Sequence, residues 1–127
     1  MEGYKAKVSY VSKELTAVER IKFKDTSDAI GIDSATQVGD LTLEIDYYGE
    51  LLIHNEKADG NKDYNNYLFV DKEGNKYVTG SSSLWSSFCD IMEELAEAGE
   101  DTIPTIKFYR VDSKNYKGKQ FLTCSIA

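Results

Sequence analysis

A mainly β fold with one helix set between its third and fourth core strands is predicted by three features of the 127-residue chain. The first is a long period-2 run in which Leu41, Leu43, Ile45, Tyr47, Gly49, Leu51 and Ile53 alternate with Thr42, Glu44, Asp46, Tyr48, Glu50, Leu52 and His54. The second is helical spacing of Leu84, Trp85, Phe88, Ile91, Met92 and Leu95, opened by capping serines at 81 to 83 and closed by Gly99. The third is two pairs of short apolar segments, 67–70 with 76–79 before that helix and 106–111 with 120–126 after it. A chain this long buries roughly two-thirds of its unfolded surface and folds as one domain without a disulfide or metal.

Taken in order, residues 4–11 and 17–24 each alternate around a polar stretch, Ser12 to Thr16, and read as an N-terminal β-hairpin. Residues 25–40, with two glycines and four aspartates, read as a connector holding at most a short strand. The 41–53 run reads as one strand bent at Gly49, because glycine inside a strand marks a bulge or sharp bend. A hairpin turning at Tyr48-Gly49 is the alternative, and it lacks the Asn-Gly or Asp-Gly signature. Residues 56–66 are turn-forming, and Gly74-Asn75 supplies the positive φ of a tight hairpin. The helix carries Asp90, Glu93, Glu94, Glu97 and Glu100 on its outer face, several near the C-terminus where the dipole disfavours anions. After Pro104 the last two strands flank DSKNYKGK. Five strands with a helix between the third and fourth is the order of an OB-fold, a small five-stranded barrel whose outer face and two flanking loops bind oligonucleotides or oligosaccharides. Residues 40–127 would form that core, and residues 1–39 would add the hairpin and connector within a single domain.

The net charge of −7 and pI near 4.7 argue at first against nucleic acid, but the charge is segregated. Residues 1–24 hold six bases and three acids, residues 25–101 four and 18, and residues 102–127 five and one. A groove responds to its local field, so basic ends leave room for an anion-binding surface. No apolar run reaches the roughly 18 residues of a membrane span. The charged, alternating N-terminal segment lacks the apolar core of a signal peptide, so a cytoplasmic location and free thiols at Cys89 and Cys124 are expected.

Catalytic chemistry has little to work with. The single histidine, His54, lies on a strand, and there is no serine elbow or glycine-rich phosphate loop. Asp59-Gly60-Asn61-Lys62-Asp63 begins like a calcium loop, but Tyr64 stands where the turn glycine belongs and Val70 where the bidentate glutamate belongs. A non-enzymatic protein with neither cofactor nor metal is expected.

Tyrosine is the unusual residue, at nine in the chain, and six of the nine lie within three residues of a Lys or Arg. That pairing suits single-stranded nucleic acid, since flat rings stack on any base while cations follow the phosphates. Aromatics also serve strands by packing alone. The candidate contacts are Tyr48, Lys57, Lys62, Tyr64, Tyr67, Lys76, Tyr77, Lys107, Tyr109, Arg110, Lys114, Tyr116, Lys117 and Lys119. They fall on four strands and on the two loops, 56–66 and 112–119, that an OB-fold places beside its binding face. Trp85 and Tyr47 fall on apolar stripes and read as packed.

Over roughly residues 40–127, the runs YLFVDKEGNKYVTGSSSLWSSFCDIMEEL and IKFYRVDSKNYKGKQFLTCSIA resemble the single-stranded DNA-binding proteins of small bacteriophages, including those that replicate by protein priming. The resemblance implies an OB-fold that coats replication-intermediate DNA without sequence preference, with Tyr67, Tyr77, Tyr116, Lys114 and Lys117 at matching positions. Replication proteins docking on the acidic helix would be a further partner. The competing reading is an acidic interaction or inhibitor protein whose middle segment mimics DNA or docks a basic host protein.

Overall fold

The computed structural model describes residues 3–57, 59–60, 62–114 and 117–127. The chain runs β1 (Tyr4–Val11), α1 (Ala17–Lys24), β2 (Ile30–Gly31), α2 (Ile32–Ala35), β3 (Leu41–Leu43), β4 (Ile45–Asn55), β5 (Asp63–Asp71), β6 (Lys76–Thr79), α3 (Ser82–Glu97), β7 (Ile106–Asp112) and β8 (Gln120–Ile126). The result is a mixed, strand-rich fold of two open sheets. One has five strands in the order β1-β4-β5-β6-β2 and the other three in the order β3-β7-β8.

The expected N-terminal hairpin is corrected to a strand and a helix. Thr16 Oγ1 accepts from the Glu19 amide at 3.2 Å, and the Glu19 carboxylate accepts from the Thr16 amide at 2.9 Å. This reciprocal box satisfies two donors that a helix start leaves unpaired, and it commits residues 17–24 to a helix. The apolar alternation there was real but short, and only Phe23 of α1 is buried. The connector holds two strand residues and one helical turn, where Ile32 is wholly buried.

The long 41–53 run does serve two sheets, but it divides at Glu44, not at Gly49: β3 pairs with β7, and β4 pairs with β1 and β5. Gly49 is required for close approach. A Cβ there would collide with the Tyr10 carbonyl oxygen and lie 3.0 Å from Phe23 Cζ.

The expected barrel is not closed. The free edge of β6 is taken by β2, in parallel. The free edge of β8 runs along α3, where Ser83 Oγ donates to the Leu122 carbonyl at 3.2 Å and Thr123 Oγ1 to Ser87 Oγ at 3.0 Å. Side chains at α2 span the seam between the sheets. Thr79 Oγ1 donates to Asp33 Oδ1 at 2.6 Å, while Arg110 donates to the Asp33 carbonyl at 2.6 Å and to Thr36 Oγ1 at 3.2 Å.

Both faces of the five-stranded sheet are covered. On one side Tyr67, Phe69 and Tyr77 pack with Leu84 and Phe88 of α3 and with Ile106, Phe108, Leu122 and Cys124 of the smaller sheet. On the other side Leu51, Ile53, Leu68 and Val70 pack with Phe23 and Leu15. Each fully buried side chain of this size contributes about 1.5–3 kcal/mol over its exposed state. The smaller sheet sends Phe108 and Cys124 inward; among the described residues neither core cluster extends to its opposite face, where Lys107, Tyr109, Val111, Thr123 and Ser125 are half-buried and Thr42 and Phe121 exposed.

Candidate nucleic-acid interface

The structure separates the sequence-derived candidates into engaged and unengaged groups. Tyr67 is buried and stacked on Trp85, with ring centroids 4.7 Å apart at 13°. Tyr77 is buried, and its hydroxyl donates to Asp71 Oδ2 at 3.2 Å. Tyr48 is half-buried, edge-on to Phe88 at 4.7 Å, and burial pushes its phenol up to about 12. Lys76 donates to the Lys22 carbonyl at 2.7 Å and to the Asp25 carbonyl, and it pairs with Asp28 at 2.9 Å. It thus caps the C-terminal end of α1, where a cation offsets the dipole. Arg110 is committed to α2 as described.

At the β4–β5 turn, Lys57 is exposed, and Lys62 reaches the Glu56 carbonyl, with its carboxylate at 3.9 Å. Tyr64 pairs with Ile53 on the face that Phe23 covers and remains 38% exposed at its end. Beside it, His54 stands between two carboxylates, Nδ1 2.8 Å from Asp63 and Nε2 2.5 Å from Glu56. Hydrogen bonds to Asp63 and then Glu56 raise the imidazole above its ordinary pKa, since only the protonated ring donates to both.

Lys107, Tyr109, Lys114, Lys117 and Lys119 remain, all on the β7–β8 hairpin; Tyr116 lies outside the described residues. Register places Lys107 opposite Thr42 and Ser125, Tyr109 opposite Thr123, and Val111 opposite Phe121, all on the side away from the core. Tyr109 and Phe121 are therefore diagonal neighbours, a relation that sets side chains roughly 7–8 Å apart. Lys107 Nζ lies 5.0 Å from the Tyr109 ring centroid, and Phe121 is 43% exposed. Among the described ion pairs none involves Lys107, Lys114, Lys117 or Lys119. Asp112 is the lone acid after Asp101 in the chain, and it accepts from Gln120 at 3.1 Å.

The two lysine-bearing loops are not brought together by the sheet. The 56–62 turn follows Asn55, whereas β7 runs antiparallel to β3, so the 113–119 turn lies beyond the Leu41 end of the same 41–55 strand. Sequence reasoning missed Phe121. Its signal was available, because residues two steps apart diagonally across a tight hairpin share a face. It also missed Lys5 and Lys7, exposed on β1 in register with His54 and Leu52.

Among the described residues, no helix is long and apolar enough to cross a membrane. Likewise, no group of three or more His, Cys, Asp or Glu is placed to hold a metal ion. No family model, no curated protein and no solved structure matches the chain.

Proposed function

We propose that the protein binds single-stranded DNA without sequence preference on the outer face of β3-β7-β8, as a non-enzymatic binding module. The observation that carries the reading is the diagonal juxtaposition of half-buried Tyr109 and exposed Phe121 on the side of the sheet away from the core, with Lys107 beside them and Lys114, Lys117 and Lys119 on the adjoining turn. Two rings one diagonal step apart suit stacking of two bases at about 1–3 kcal/mol each, and lysines at the hairpin tip suit the phosphates on either side. The strand path β6-β5-β4/β3-β7-β8 with α3 between β6 and β7 supports an OB-like, partly open barrel as the finer description of the fold. On this reading the 113–119 turn serves as the binding loop, and Phe23 of α1 packs on the other side of the larger sheet, against β4 and β5. A role in coating phage replication intermediates belongs to the same proposal and rests on the resemblance of residues 40–127 to those coat proteins.

Anisotropy of labelled oligo(dT) at several salt concentrations tests it. Four lysine–phosphate contacts would give a slope of log affinity against log salt of about −2.8, at −0.7 per contact. Absence of binding at low ionic strength would remove the proposal.

A further inference from the structure

A cleft opens where α3 meets β1 and β4 of the larger sheet. Tyr10, Tyr48 and Trp85 wall a cleft of about 310 Å³ into which Glu50 and Glu93 also project. The Tyr10 and Tyr48 rings are 6.2 Å apart and tilted by 40°, and Tyr48 and Trp85 meet edge-on at 6.0 Å and 67°, while Trp85 keeps one face stacked on Tyr67. Tyr10 and Glu50 are register partners, and the Glu50 carboxylate is held by Ser9 Oγ at 2.6 Å. No Lys or Arg lines the cleft, and none occurs in the sequence between Lys76 and Lys107, so the acidic outer face of α3 has no base of its own. Cys89 also lines the cleft, and burial first, then the charges of Glu93 and Glu50, raise its thiol above the ordinary value.

We infer that this cleft receives an arginine or lysine side chain from a basic segment of a partner protein, the ring faces meeting the cation and Glu50 and Glu93 neutralising it. Ring quadrupoles attract a cation lying over their faces within about 6 Å, and more strongly once it leaves water. The acidic face of α3, whose carboxylates enter no ion pair among the described residues, then has a use: it attracts the segment that carries the inserted side chain. This inference does not rest on the DNA-binding reading, because the cleft and the Tyr109–Phe121 face lie on different sheets.

Trp85 is the single tryptophan, so its emission reports on the cleft. Titration with a hexa-arginine peptide should shift that emission, whereas the hexa-citrulline peptide should not. Tyr10→Ala should weaken binding by about threefold or more, and Glu50→Gln with Glu93→Gln by about tenfold. Glu97→Gln, on the same helix but outside the cleft, should stay within about twofold of the parent, with circular dichroism confirming each fold. An unmoved Trp85 signal in the parent, equal response to the citrulline peptide, or equal losses from Glu97→Gln and Glu93→Gln would overturn the inference.

Discussion

Lys76 and Lys107 each stand on a strand beside a tyrosine, Tyr77 in one case and Tyr109 two residues on in the other, yet the two regions use the same residues differently. On the five-stranded sheet, Tyr77 is buried against the core and Lys76 is bound to two carbonyls and a carboxylate. On the three-stranded sheet, Lys107 lies over the half-buried Tyr109 ring on the side away from the core, with Phe121 exposed beside it. A tyrosine–lysine pair is therefore left available to a ligand only where the core does not claim the ring, and Tyr109 with Lys107 belongs to neither core cluster.

The contrast is sharpest in stability. Phe23, wholly enclosed over Gly49 and 5.9 Å from the Tyr47 ring, should cost about 3–5 kcal/mol when replaced by Ala. Phe121→Ala should stay within about 0.5 kcal/mol in the same urea titration. Equal losses would break the distinction between the two faces. Lys76→Met strips the cation from the carbonyls ending α1 and should cost about 2 kcal/mol, whereas Lys117→Met should leave stability unchanged and reduce the salt slope of oligo(dT) binding by about 0.7. Thr16→Ala removes the capping box that makes residues 17–24 helical and should cost about 1 kcal/mol, read in the same way.

The smallest effect is at His54. Its folded pKa lies above the unfolded value of about 6.5, so its bonds to Asp63 and Glu56 contribute fully below that pH and are lost as pH rises through the folded pKa. NMR titration of the imidazole protons should show the raised value, and Asp63→Asn should bring it down.

What the sequence made legible were features decided locally. The helix between Ser81 and Gly99 and both C-terminal strands stand where spacing and caps put them. The lysines of the β7–β8 turn were legible as a cluster because they are neighbours in the chain. The N-terminal helix was legible too, in the Thr16-to-Glu19 spacing, but the period-2 set Ala17, Glu19, Ile21 and Phe23 masked it. Which tyrosines face solvent was not legible. Alternation distinguishes two faces of a strand, and on β4 and β5 both faces are covered, so Tyr47 and Tyr48 are both partly buried. The roles of Lys76 and Arg110 were hidden for another reason: their acceptors lie 54 and 77 residues away in the chain.

The most direct test is Tyr109→Ala combined with Phe121→Ala, measured by anisotropy of labelled oligo(dT) at low salt against the parent protein. Two stacking rings at about 1–3 kcal/mol each predict at least a 30-fold loss of affinity with an unchanged unfolding midpoint. Undiminished binding by a folded double variant would show that the exposed face of the three-stranded sheet is not where the DNA lies.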